Sequence, residues 1–139
     1  MRTIISDNGV TRLEVGLLRP EDIERAADMA WQMTRRPPPT YFPGADGPAS
    51  WLNEATRCVE DPGNVAVGLW LGAAGGEVAG PPYGVVLARP KDNSGNLRLL
   101  YAKECDEYHG GSALIDYARS VASSMGTVIM QEVTLLQPI

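Results

Sequence analysis

The sequence has little of what metal and triad chemistry require. It carries one histidine, His109, and two cysteines, Cys58 and Cys105. That count argues against a histidine-rich metal centre. A Ser/His/Asp triad would have to use His109, and no serine stands in a nucleophile-elbow setting. Two thiols at unrelated positions fit a reduced intracellular chain rather than a disulfide scaffold or a thiolate metal site. Basic charge is also in deficit. The net charge is −5 and the isoelectric point is near 4.8, whereas a nucleic-acid-binding domain shows a basic face. Long apolar runs are missing. None reaches membrane-spanning length, and the opening MRTIISDNG lacks the apolar core of a signal peptide. The expectation is a cytoplasmic chain, or part of a larger assembly such as a virion, with neither nucleic acid nor membrane as partner.

What is present suffices for a folded domain. Of 139 residues, 44% are hydrophobic and 21% charged, which allows one ordinary domain over 1–139 with a real core. Residues 1–10 read as a flexible arm or a short edge strand. A strand follows over 12–19, with Leu13, Val15 and Leu17 alternating. Pro20 suits the first helical position, and Glu21 and Asp22 suit the first turn. Ile23, Ala26, Ala27, Ala30 and Met33 then share one helical face. Arg35 and Arg36 complement the helix end, and Pro37-Pro38-Pro39 stops it.

The loop PPPTYFPGADGP over 37–48 holds Tyr41 and Phe42, which either line a cleft or pin the loop to the core. A second helix spans 48–60, with Trp51, Leu52, Ala55, Cys58 and Val59 as its buried stripe. Cys58 on that stripe reads as core rather than nucleophile. Strands follow at 64–72, 83–89 and 96–102. The turn at 73–76, Glu77-Val78-Ala79 and the prolines Pro81 and Pro82 interrupt the first pair. The polar turn KDNSG at 91–95 joins the second. Three strands on short turns predict an antiparallel meander.

The stretch 96–125 is the centre of the chain. Its strand places Leu97, Leu99 and Tyr101 on one face and Leu100 on the other. Gly110-Gly111 lead into a helix over 112–125, whose stripe is Leu114, Ile115, Ala118, Val121, Ala122 and Met125. Gly126 is placed to cap it. A strand feeding a helix through glycines presents bare backbone N–H groups that suit an anion, although a double glycine is also a common turn. A last strand covers 127–136. The order is β-α-α-β-β-β-α-β, which predicts an α+β fold: a mostly antiparallel mixed sheet with helices on both faces.

That order, with NVAVGLWL…YGVVLAR, NLRLLYA…HGGSALIDYARSVASSMG and the terminal TVIMQEV, resembles the GNAT N-acetyltransferase superfamily over residues 12–136. The resemblance implies acetyl-CoA as cofactor. Its pantetheine would lie against backbone of Leu100, Tyr101 and Ala102, and its pyrophosphate on N–H groups of His109, Gly110, Gly111 and Ser112. The family pattern Gln/Arg-x-x-Gly-x-Gly/Ala is altered here. Glu107 stands where Arg or Gln is usual, and one residue between the glycines is missing. A carboxylate about 4 Å from a diphosphate costs on the order of 1 kcal/mol even in high dielectric, and a shortened loop turns one N–H away from its target. Glu104, Asp106 and Glu107 stand against Lys103 alone.

For acetyl transfer a base must deprotonate an amine and an acid must serve the thiolate. The carboxylates nearest the implied cleft are Glu104 and Glu132. Tyr108 and Tyr101 are the candidate acids, with Tyr101 equally a core residue by its alternation. The family continues past its fifth strand with further elements. Here the strand 127–136 would keep an open, apolar edge, which predicts a homo-oligomer or a protein partner. Two readings follow. One is a GNAT-like structural or interaction subunit with acetyl transfer reduced or lost and no cofactor. The other is an active acetyl-CoA-dependent N-acetyltransferase acting on a small amine or a protein amine.

Overall fold

The structure, a computed structural model, describes residues 2–7, 9–34, 47–73, 80–90, 93, 95–103 and 113–130. Among these, β1 (Thr3–Asp7) and β2 (Thr11–Leu17) form a hairpin, and a single 3-10 turn (Pro20–Asp22) leads into α1 (Ile23–Thr34). Then come α2 (Pro48–Glu60), β3 (Val65–Ala73), β4 (Gly84–Pro90), β5 (Asn96–Lys103), α3 (Ala113–Ser124) and β6 (Val128–Met130). The fold is α+β, a six-stranded mixed sheet curled into a half-barrel with three helices.

Local chemistry sets the helix ends. Asp22 reaches back to accept the Arg19 backbone N–H at 2.9 Å, and Pro20 occupies the first position, where a missing N–H costs nothing. Proline opens α2 in the same way. At the end of α3 the chain turns through Gly126 at φ +74°. Thr127 N–H donates to the Ala122 carbonyl and Gly126 N–H to that of Ser123, each at 3.0 Å. This is the paired closure that a left-handed glycine permits.

Strands neighbour one another in chain order from β1 to β6. All pairs are antiparallel except the last, where Asn96–Arg98 of β5 run parallel to Val128–Met130 of β6. A parallel pair needs a crossover, and α3 supplies it. One face of the sheet packs on α1 and α2 through Ala66, Trp70, Val85, Leu87, Leu100 and Tyr101 against Ala26, Ala30, Trp51 and Ala55. The other packs on α3 through Val65, Val67, Leu69, Val86, Leu97 and Leu99 against Leu114, Ala118 and Ala122.

One expectation narrows and two change. Residues 3–7, read as a flexible arm or an edge strand, are the edge strand. Leu52 is 41% exposed rather than part of the α2 stripe. The stripe is Trp51, Glu54, Ala55 and Cys58, the i, i+3, i+4, i+7 series, and Leu52 stands about 100° from its leading residue. Tyr101 does not share a face with Leu97 and Leu99. It packs beside Leu100 on the α1–α2 side, because β5 is irregular between these residues. The expected elements at 77–79 and beyond Met130, and the loop holding Tyr41 and Phe42, lie outside the described residues.

Candidate functional site

The second half of β5 departs from regular pairing. Opposite β4, Leu87 pairs with Tyr101 but Ala88 pairs with Leu99, so Leu100 is an extra residue. Such a bulge leaves backbone groups out of the regular ladder and re-aims the side chains that follow. Leu100 and Tyr101 therefore point together into the α1–α2 layer. There the Tyr101 ring meets the Trp51 ring edge-on, with centroids 6.0 Å apart and planes at 68°. Both side chains are buried. Ala102 falls on the opposite face, half-buried beside the α3 cluster. Among the described residues β6 pairs with β5 only as far as Arg98.

Gly84 brings the end of β5 and the start of α3 to one place. A Cβ at this position would lie 2.5 Å from the Lys103 carbonyl oxygen and 3.0 Å from Leu114 Cδ2. Only glycine permits β4 to run that close to both. The implied pantetheine segment, Leu100, Tyr101 and Ala102, is thus brought together on the bulge, next to the first turn of α3. The other implied cofactor residues, His109, Gly110, Gly111 and Ser112, and the candidate catalysts Glu104, Tyr108 and Glu132 lie outside the described residues.

Sequence reasoning missed a second polar centre, between α2 and β4. Glu54 is 7% exposed and holds Arg89 with both oxygens, at 2.6 Å to Nε and 3.0 Å to Nη2. Arg57 lies 4.0 Å from the same carboxylate. A cavity of about 530 Å³ opens beside them, lined by Arg57, Glu60, Asp61, Asn64, Arg89 and Pro90. With Glu54 counted, two guanidiniums stand against three carboxylates, and Arg89 is committed to Glu54. The arrangement ties a helix to a strand. The available signal was spacing: Glu54 occupies the same helical face as Trp51 and Cys58.

Cys58 belongs to this centre. Burial, reinforced by the nearby Glu54 charge, pushes its thiol up to about 12, and Sγ donates to the Ala88 carbonyl at 3.7 Å. A thiol held protonated is a poor nucleophile, which agrees with its place in the core. Among the described residues no group of three His, Cys, Asp or Glu side chains converges as a metal site would require. No described helix is long and apolar enough to cross a membrane. Comparison with family models, with curated proteins and with solved structures gives no match.

Proposed function

We propose that the chain is a GNAT-like domain in which acetyl transfer is reduced or lost, and that it acts as a structural or interaction subunit through the open sheet edge expected over 127–136. The observation that carries this reading is the end of the sheet. A parallel pair, β5 and β6, is joined through α3, and among the described residues β6 closes the strand order with Val128 62% exposed. Glu107, in place of an arginine or glutamine, weighs against a bound diphosphate. A partner, either another protein or a second copy, would extend the sheet from β6 by strand addition.

The bulge at Leu100 favours a second reading, an active acetyl-CoA-dependent N-acetyltransferase. It frees backbone donors and acceptors on the segment that the resemblance assigns to pantetheine. In that case Glu104 or Glu132 would serve as base and Tyr108 as acid.

Thermal unfolding with and without millimolar acetyl-CoA, for the wild type and for Glu107→Arg, separates the two. Ligand at about a hundred times its dissociation constant adds roughly 2.7 kcal/mol to stability. The first reading expects no shift in the wild type and a rise of several degrees in Glu107→Arg. A clear shift in the wild type would overturn it in favour of the enzyme. No shift in either protein would overturn the enzyme and leave the fold as a scaffold.

A further inference from the structure

We infer that the outer edge of β1, at the other end of the sheet, is a docking surface for a second copy of the same chain. The two β1 strands pair antiparallel about a two-fold axis perpendicular to the sheet. The inference is independent of the acetyltransferase resemblance. It rests on exposure, on register and on charge.

All five β1 residues are exposed, with Ile4 at 50% and Ile5 at 37%. Strand β1 ends the sheet, and β2 is its only strand neighbour among the described residues. An edge with apolar side chains and free backbone groups is a template for another strand.

Register makes this edge self-complementary. Thr3 pairs with Val15 and Ile4 with Glu14, whereas Ser6 pairs with Leu13 and Asp7 with Arg12, so Ile5 is an extra residue. Val15 and Leu13 face α3, so Thr3 and Ser6 share that side. Glu14 pairs across β3 with Trp70, on the α1–α2 side, so Ile4 shares that side. Arg12 bonds Glu14 along the same face at 2.8 Å, which places Asp7 there as well. Arg2 lies there too, with its guanidinium 3.9 Å from the Trp70 ring centroid and 3.7 Å from Glu14.

With the extra residue Ile5 set beside Ile4 on the α1–α2 side, as a bulge allows, the order of faces is the same read from either end of the strand. In an unbroken strand, an antiparallel match of Arg2 with Asp7 would set residues of opposite faces against each other, because faces alternate at every residue. The extra residue removes that conflict. Arg2 then stands opposite Asp7 of the second copy, Thr3 opposite Ser6, and Ile4 opposite Ile5. Arg2, whose guanidinium folds inward over Trp70 and Glu14 in the single chain, swings outward to meet Asp7, while hydroxyl meets hydroxyl and apolar meets apolar. Each kind of cross-strand pair is favourable, and like charges opposite one another are not.

Two edges of this length bury well under the roughly 1,200–2,000 Å² of a stable interface. The dimer is accordingly weak, and salt weakens it further.

Sedimentation equilibrium of the full chain, from about 10 μM to about 1 mM and at low and high salt, tests the inference. The wild type dimerises reversibly at the upper concentrations at low salt. Asp7→Arg and Arg2→Asp each weaken self-association about tenfold, since two attractive pairs become repulsive. An equimolar mixture of the two variants recovers a heterodimer, because every facing charge is then opposite again. Arg2→Asp also gives up the contacts to Trp70 and Glu14, so a second measurement leaves Arg2 untouched. In a Cys105→Ser background, a mixture of Thr3→Cys and Ser6→Cys chains oxidises to the mixed dimer in preference to either homodimer. A monomer throughout the range overturns the inference, as does a dimer indifferent to Asp7→Arg, which would be pairing elsewhere. Cross-linking without preference for the mixed pair overturns the register.

Discussion

The two faces of the sheet are held by different chemistry. Toward α3 the interface is aliphatic. Leucines and valines of the strands meet Leu114, Ala118 and Ala122, with the half-buried Tyr117 packed against them. Toward α1 and α2 the interface is aromatic and tied by charge. Trp51, Trp70 and Tyr101 sit among alanines, Glu54 clasps Arg89 at the cluster's margin, and Arg2 and Arg19 lie over the Trp70 ring at 3.9 and 5.8 Å. The first face depends chiefly on volume. The second also depends on direction, because rings and ion pairs work in few orientations. The bulge at Leu100 belongs to the second face, where Trp51 braces the residue that follows it.

Substitutions on each side test that contrast. Trp51→Ala has the largest expected effect, a loss of about 3–5 kcal/mol, read from denaturant midpoints. It also releases Tyr101, so backbone amides of residues 99–103 should lose hydrogen-exchange protection. Leu69→Ala on the aliphatic face loses about 2–5 kcal/mol but leaves the protection of residues 99–103 in proportion to global stability. If both substitutions loosen 99–103 alike, the brace is no more than packing.

Glu54→Ala strands a partly buried guanidinium and costs about 1–3 kcal/mol, the lower end applying because Arg89 keeps 32% of its side-chain surface in water. Replacing both Glu54 and Arg89 by methionine recovers most of that loss, since no lone charge then remains. A double variant as unstable as the single one would show that the pair does more than cancel its own charges.

Cys58 adds a pH dependence to the same face. Its folded pKa of about 12 lies above the ordinary value of 9.0, so the unfolded chain ionises first. The contribution is complete below pH 9 and is lost as pH rises toward 12. Cys58→Ala should flatten the fall in stability across that window, and in a Cys105→Ser background the native thiol should resist alkylation. The smallest effect belongs to the aliphatic side. Gly126→Ala places a Cβ in the left-handed region and costs about 1 kcal/mol at the end of α3.

These differences also mark what could be read from the sequence. Periodicity and end signals delimited α2 and α3 within a residue, because Pro48, Gly126 and the apolar spacing act through local sterics. The antiparallel meander followed from short turns. The phase of β5 did not, since a bulge is settled between two strands and leaves no mark in NLRLLYA. Alternation consequently put Tyr101 on the wrong face. Glu54 was passed over because its charge masked a position that geometry buries. Of the candidate site, Leu100, Tyr101 and Ala102 are placed on one strand end. Glu104, Tyr108, Glu132 and residues 109–112 lie outside the described residues, and their roles rest on the resemblance.

The chain-order arrangement of the strands also implies a chronology. Strands β3, β4 and β5 follow one another as near neighbours, so their contacts close short loops. Pairing β2 with β3 must wait for the two ends of a segment holding both α1 and α2, and pairing β5 with β6 must wait for α3. Closing a longer loop costs more entropy before any contact is made, and folding slows as contacts grow more distant in sequence. The middle of the sheet should therefore gain protection first during refolding. The β1–β2 hairpin, which closes a short loop of its own, and β6 carry both proposed interaction edges and should join the sheet last, when the surface they pair with already exists.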